Sequence, residues 1–404
     1  MIDARDPAAW QVVGGISLVA RLVRSLELEG VGTIIVVADR AASRAELRAL
    51  RPATRVLCEP LEREAPLSAA LEAHAQTPLL VVDGTLVADR RLLRALARHP
   101  GPVVVSPVPA DATGVPRVRL ARLSRGELEL LGAPEIARKG FAALDPRDLE
   151  TYTLEMRGQQ PILLLDASTP ERAAAATERL VRATQKQVMD APARWVDPCF
   201  ENAMLRRIAP TRITPNGVTL IGTAIGLVAA ALLYQGWIWP AFSLMLLVGW
   251  LDGVDGKLAR LRLHYTRLGA AESYLDFLYE NAWWLALTAH LHGTYGDAAL
   301  LAGGALILGN LLAEGMLTLG FTYLENSLDL LSPFDRAFRI VAGRRNVFVW
   351  ILILATLAGS LWAGFAACAV WAMLTGVEHA ARLIMELGAR ARERSPAESR
   401  SPRR

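Results

Sequence analysis

Cysteine is scarce in this chain: Cys58, Cys199 and Cys368 are scattered over 404 residues without CxxC spacing. That excludes a disulfide framework and a thiolate zinc site, and the six histidines form no ligand cluster in their place. The N-terminus, MIDARDPAAWQ, lacks a basic stretch followed by an apolar core. No secretory signal peptide is expected, and the N-terminal part should stay in the cytoplasm. Charged residues are few, 21% against 52% hydrophobic, and mean hydropathy is positive at +0.28. Part of the chain must therefore sit in lipid, and its length allows two domains.

A composition break near residue 195 divides the chain. Before it, β-branched runs such as TIIVVADR (33–40), PLLVVDG (78–84), GPVVVSPV (101–108) and PILLLDAS (161–168) alternate with helical stretches. This is the pattern of a soluble α/β domain with a parallel, layered sheet, assigned to residues 1–190. Residues 191–214 mix Trp195 and Phe200 with Arg206, Arg207 and Arg212, which suits either an interfacial helix or a plain linker helix.

Residues 215–385 read as an all-α bundle of six apolar spans, at about 216–235, 238–260, 270–292, 297–320, 345–358 and 361–381. The connections QGW, HGTYGD and GS carry no Lys or Arg. Lys257, Arg260, Arg262 and Arg267 flank the second turn, and Arg336, Arg339, Arg344 and Arg345 the fourth. By the positive-inside rule both termini and the basic loops face the cytoplasm, with the cell inner membrane as the expected location. Residues 386–404 read as a basic, disordered tail.

Asp252, Asp255, Glu272, Asp276 and Glu280 lie in or beside these spans, where a carboxylate is costly and marks a functional site. Asp252 and Asp255 share one helical face, and Glu272, Asp276 and Glu280 recur every four residues on the next span. Converging at one membrane face, they would repel one another unless divalent cations neutralised them, and all-oxygen ligands suit Mg²⁺, Mn²⁺ or Ca²⁺. The alternative is interhelical ion pairing with Lys257, Arg260 and Arg267. Paired metals at such a site point to phosphodiester transfer, with a spare carboxylate as base.

Asp252-Gly-Val-Asp255-Gly256-Lys-Leu-Ala259-Arg260, followed by eight residues and Gly269, resembles the signature D-x2-D-G-x2-A-R-x8-G-x3-D-x3-D of the CDP-alcohol phosphotransferase family. The resemblance covers roughly residues 195–385 and includes an ITPNGVT start to the first span, Ile213 to Thr219. The second half departs from the pattern: Ser273 and Phe277 stand where acids are expected. A one-residue deletion restores Glu272 and Asp276, whereas the alternative register takes Asp276 and Glu280.

The resemblance implies an integral-membrane transferase of phospholipid or polyol-phosphodiester synthesis, passing a substituted phosphoryl group from a CDP-alcohol to an alcohol acceptor. It implies a two-metal site held by Asp252, Asp255, Glu272 and Asp276, with Asp276, or Glu280 in the other register, as the catalytic base. Gly256, Ala259 and Arg260 would meet the cytidine nucleotide. Asn216 and Thr219 either line that pocket or belong to an ordinary helix start at Thr214-Pro215. Arg336, Arg339, Arg344 and Arg345 either bind phosphate or lipid headgroups, or only set topology. Glu314 reads as an interhelical hydrogen-bond partner. Membrane lipids and a homodimer partner are implied, and no nucleic acid.

The N-terminal half is similar to sugar-phosphate nucleotidyltransferases, in VVGGISLVARLVRSLELEGVGTIIVVADR and in LLVVDG, which puts Asp83 where such enzymes keep a metal-binding Asp. Their first strand and Gly-rich triphosphate loop are missing, and Gly14-Gly15 is too short a substitute. A degenerate domain is expected. A bifunctional cytidylyltransferase and a non-catalytic membrane homologue are the alternatives.

Overall fold

A computed structural model describes residues 1–38, 47, 54–62, 65–67, 79–110, 117–134 and 140–398, without the side chains of Arg125, Arg267, Ala270 and 393–398. The chain divides as its composition does. The α/β half contains β1 (Ile2–Asp3), α1 (Leu18–Leu28), β2 (Thr33–Ala38), β3 (Arg55–Pro60), β4 (Leu79–Asp83), β5 (Leu86–Ala88), α2 (Arg90–Arg98), β6 (Val103–Val105), β7 (Leu120–Leu123), β8 (Ala142–Leu144), β9 (Leu164–Asp166) and α3 (Pro170–Ala183). Seven strands form one sheet in the order β8-β6-β7-β4-β1-β2-β3.

The sheet is mixed rather than wholly parallel. Strands β1 to β4 run parallel where they pair, but β7 lies antiparallel between β4 and β6. Its sequence, LARL, lacks the β-branched run that marks the other strands. The expected strand in PILLLDAS, β9, pairs antiparallel with β5 outside the sheet. The first strand, expected to be missing, is present as two residues at the centre of the sheet, with Ile2 beside Val36 and Val82. Alternation along β2 sends Ile34 and Val36 to the face covered by α1 and α2, and Ile35 and Val37 to the opposite core.

The helical half comprises α4 (Ala191–Trp195), α5 (Asp197–Ile208), α6 (Pro215–Tyr234), α7 (Ile238–Arg262), α8 (Glu272–Tyr295), α9 (Asp297–Leu324), α10 (Pro333–Val341), α11 (Arg345–Leu357) and α12 (Leu361–Glu398). Helices occupy all six expected spans. By length and composition α6, α7, α9 and α12 could cross a membrane, and the pair α10–α11, bent by 44°, makes a fifth if it is one span. The third expected span, α8, is not among them, because its three acids, Asn281, His290 and His292 dilute its apolar content. One face of it packs into the bundle, where Tyr279, Trp283, Trp284 and Leu287 are almost wholly buried, while Tyr274, Phe277, Leu278 and Leu285 on the other are exposed.

The stretch from 386 is not irregular as expected, since α12 continues to Glu398. ARARER is rich in strong helix formers, and Glu386 pairs with Arg390 one turn on. Residues 399–404 lie outside the described residues.

The two halves meet at the C-terminal end of α7, where a helix leaves four carbonyls without partners. Arg21 of α1 donates to the carbonyl of Leu261 at 2.7 Å, and Arg24 to that of Arg262 at 2.7 Å. The Arg262 side chain turns the other way, onto the carbonyls of Ile208, Ala209, Thr211 and Ile213 at 2.5–3.1 Å. Gly14-Gly15 forms the turn of a small hairpin pressed against this junction. Both take positive φ, and a Cβ on Gly15 would lie 1.9 Å from the Ala209 carbonyl oxygen. The pair is therefore a docking turn.

Candidate active site

Helix α7 carries Asp252 and Asp255 near the end that faces the α/β half, and α8 starts with Glu272 directly after the loop. The arrangement brings carboxylate oxygens of Asp252, Asp255 and Glu272 within 4.8 Å of one another. Asp255 is buried, its Oδ2 accepting the Thr219 hydroxyl at 2.7 Å while Oδ1 has no hydrogen-bond partner. Three like charges at this spacing, one with an orphaned oxygen, fit a divalent cation with oxygen ligands.

Asp276, one turn beyond Glu272, accepts the Tyr279 hydroxyl at 2.9 Å and borders the same crevice of about 10 Å³ as Asp252, Asp255 and Thr219. Glu280 is placed differently. Arg345, at the start of α11, reaches Glu280 at 3.0 Å, Asp252 at 2.6 Å and Asp276 at 3.9 Å, and also donates to the Tyr279 hydroxyl. Among the described residues, Asp255 and Glu272 have no ion pair.

The alternative reading, ion pairing of the acids with the loop cations, is not met by Lys257 or Arg260. Lys257 points away to Glu201 at 2.7 Å and Asn202 at 2.8 Å. Arg260 donates through Nε to the carbonyl of Thr184 at 3.1 Å and lies over Gly256. The Arg267 side chain lies outside the described residues. Arg345, read from sequence as a phosphate or topology residue, is the cation paired with the acids among the described residues.

The other expected residues are tied to protein partners. Asn216 accepts the Thr266 hydroxyl at 2.7 Å, and Thr214 caps α6 through the Gly217 amide at 3.1 Å. Thr219 positions Asp255. Arg336 donates to the Leu330 carbonyl, Arg344 pairs with Glu314 at 3.1 Å, and Arg339 is buried beside Asp329 at 3.0 Å and Asp190 at 3.6 Å. Glu314 is thus an interhelical partner, through an ion pair.

Sequence reasoning passed over three residues. Asp197 of α5 accepts the Trp250 indole N–H at 3.1 Å, and burial pushes its carboxyl up to about 6. Glu201 reaches Lys257 because Gly253 has no side chain: a Cβ there would lie 2.0 Å from Glu201 Oε1. Lys186 lies in the segment between α3 and α4. Burial lowers its ammonium to about 8, with Arg260 and Arg157 pushing the same way and Asp252 and Glu272 opposing them. Lysine's rarity is the signal that could have drawn attention to it: the chain has three lysines, at 139, 186 and 257, against 41 arginines.

A cavity of about 690 Å³ lies between the halves, lined in part by Arg90, Arg94, Tyr152, Glu155, Arg260 and Tyr265. It adjoins the acid cluster only through Arg260, so cavity size does not point to the chemistry. The carboxylate geometry does.

The sequence profile of CDP-alcohol phosphatidyltransferases matches residues 212–377, which contain Asp252, Asp255, Glu272 and Asp276. Residues 212–377 form a CDP-alcohol phosphatidyltransferase family domain. Among curated relatives, inner membrane protein YnjF of Escherichia coli (strain K12) is 46% identical over 67 residues, 17% of this chain and 32% of YnjF. A bifunctional IPC transferase and DIPP synthase of Aquifex aeolicus (strain VF5) is 26% identical over 212 residues, 51% of this chain and 47% of that protein. The chain thus spans about a third and about half the length of these relatives. Among solved structures, Mycobacterium tuberculosis phosphatidylinositol phosphate synthase (PgsA1) with CDP-DAG bound aligns with TM-score 0.36 and 18% identity, over 46% of this chain and 93% of that one. HddC from Yersinia pseudotuberculosis aligns with TM-score 0.32 and 14% identity, over 44% of this chain and 97% of that one. The phosphatidyltransferase domain, with its long apolar helices, makes this an integral membrane protein.

Proposed function

We propose that the chain is an integral-membrane CDP-alcohol phosphotransferase that moves a substituted phosphoryl group to an acceptor hydroxyl and releases CMP. The observation that carries this reading is the Asp252, Asp255 and Glu272 cluster, with its orphaned Asp255 oxygen, inside the phosphatidyltransferase domain. In this reading Asp252, Asp255, Glu272 and Asp276 hold Mg²⁺ or Mn²⁺. The bound cations supply positive charge to the pyrophosphate as negative charge develops there. Asp276 takes the proton of the acceptor hydroxyl, whose oxygen forms a bond to the β-phosphorus while the bond from that phosphorus to the bridging oxygen breaks.

Thr219 keeps Asp255 oriented, and Tyr279 does the same for Asp276. Arg345 neutralises the outer carboxylates Asp252 and Glu280, and its grip on Glu280 favours the Glu272–Asp276 register. Gly256, Ala259 and Arg260 are assigned to the nucleotide. The α/β half abuts the same end of α7 as the acids, which supports a site on the cytoplasmic face of the inner membrane, with α8 counted among six spans.

We assign no nucleotide transfer to the α/β half. Asp83, the expected metal-binding position, is paired with buried Arg119 at 2.7 Å, and Arg119 also pairs with Asp166 at 2.7 Å, with Arg172 on the other Asp166 oxygen. A guanidinium stands where a cation would. Full-length protein given CTP and phosphorylated polyols should release no pyrophosphate.

The main assignment is tested by mass spectrometry of products from purified protein, a panel of CDP-alcohols and acceptors, and Mg²⁺ or Mn²⁺. CMP release that is lost in Asp252→Asn supports it. Unchanged turnover in that variant, or no CMP from any pair, overturns it.

A further inference from the structure

We propose that Lys186, together with Arg157 and Arg260, forms a phosphate-binding wall of the active site that is supplied largely by the α/β half. The inference rests on the reaction proposed above and adds residues outside the phosphatidyltransferase domain, which ends at 377 and begins at 212.

The segment 184–188 is held on two sides. Arg260, which closes the first half of the acid-bearing motif, donates to the carbonyl of Thr184 at 3.1 Å. Arg157, at the tip of a hairpin formed by Tyr152–Thr153 and Gly158–Gln159, donates to the carbonyl of Val188 at 3.4 Å. The hairpin is fastened to the same segment by the Gln187 amide, 3.0 Å from the Met156 carbonyl. Arg157 takes φ of 54°, a left-handed conformation that a side chain adopts at a cost. Lys186 sits between the two clasps.

Charge explains why this matters. Among the described residues, neither Lys186, Arg157 nor Arg260 has a carboxylate within ion-pairing distance, whereas Lys257 and Arg345 are paired. Arg157 and Arg260 repel the Lys186 ammonium, burial strips hydration from all three groups, and the carboxylates that act on them lie beyond ion-pairing distance. Arg260 lies over Gly256 of the acid-bearing motif, so its hold on Thr184 brings the segment that carries Lys186 beside the site, where the charges of Asp252 and Glu272 act on the ammonium. Burial lowers the ammonium to about 8 and also lowers the Arg157 guanidinium. An anion arriving between these cations and the acids would supply the missing counter-charge, and guanidinium and ammonium groups suit phosphate oxygens. That phosphate belongs either to the CDP diphosphate or to a phosphorylated acceptor.

The test uses full-length protein in detergent with Mn²⁺, titrated calorimetrically with CDP, and then with inorganic phosphate after saturation by CDP. Wild type, Lys186→Gln and Lys186→Arg are compared, with thermal melting as a control. Loss of a charge-assisted hydrogen bond predicts about tenfold weaker binding or more in Lys186→Gln, with recovery in Lys186→Arg and an unchanged melting temperature. Weaker CDP binding assigns the wall to the donor diphosphate, and weaker phosphate binding with CDP unchanged assigns it to the acceptor. Equal binding of both ligands in wild type and Lys186→Gln overturns the proposal. So does equal loss in both variants with a lowered melting temperature, or no binding of either ligand by wild type. The proposed reaction fails separately, through absence of CMP release, because these titrations need no turnover.

Discussion

Arg21 and Leu261, separated by 240 positions in sequence, are joined by a 2.7 Å hydrogen bond from the guanidinium to the last-turn carbonyl of α7. The same guanidinium donates to Val13 at 2.9 Å, so the α/β half closes the end of the helix that carries Asp252 and Asp255. A cation at that end also suits the helix dipole. The α/β half therefore fixes where the acid-bearing helix stops.

The register of the acid motif is testable by substitution. Glu272→Gln should lower CMP release about 100-fold or more, as expected for a group acting at the reacting phosphate. Glu280→Gln should cost less, because Glu280 is held by Arg345 rather than in the three-acid cluster. Steady-state rates of the two variants decide it, and the reverse order would move the site to Asp276 and Glu280.

Removing divalent metal should stop turnover, with Mg²⁺ or Mn²⁺ restoring it. Asp255→Asn should weaken Mn²⁺ binding measured by calorimetry or spin resonance, since Asp255 offers the oxygen without a protein partner.

Arg345→Met leaves Asp252, Asp276 and Glu280 without their shared cation. Removing one partner of a buried charge network costs about 3–5 kcal/mol. The melting temperature in a chelator should fall, and added Mn²⁺ should raise it more than in wild type, because metal binding to the folded state is linked to stability.

Gly253→Ala places a methyl 2.0 Å from Glu201 Oε1. The buried Glu201 carboxylate must swing away and lose its place beside Lys257, a destabilisation of about 1–3 kcal/mol from overpacking. Thermal melting and loss of turnover should move together.

Asp197 predicts a pH effect. Its carboxyl is raised by burial to about 6, against 3.8 for the free group, so between these values the folded state binds more protons than the unfolded one. Its contribution is fully present below pH 3.8 and is lost as pH rises through about 6. Asp197→Asn should flatten that decline in a series of chemical denaturation curves.

Much of this molecule is legible in its sequence for local reasons. The apolar lengths mark the helices, four-residue spacing aligns Glu272 with Asp276, and Thr214-Pro215 starts α6 with its own cap. The β-branched runs mark β2, β4 and β6. β7 was hidden because LARL has no strand-like composition, and the antiparallel pairing that uses it comes from neighbours distant in the chain.

The sequence by itself determined that acids at helical spacing end one apolar stretch and begin the next, because period and hydropathy are local properties. Only the tertiary structure decided which cation meets which acid. Arg345 joins Asp252 across 93 positions, Lys257 leaves its own motif for Glu201, and Arg260 turns to Thr184. Long side chains reach several partners, and the choice among them depends on how α5, α11 and the α/β half pack around α7.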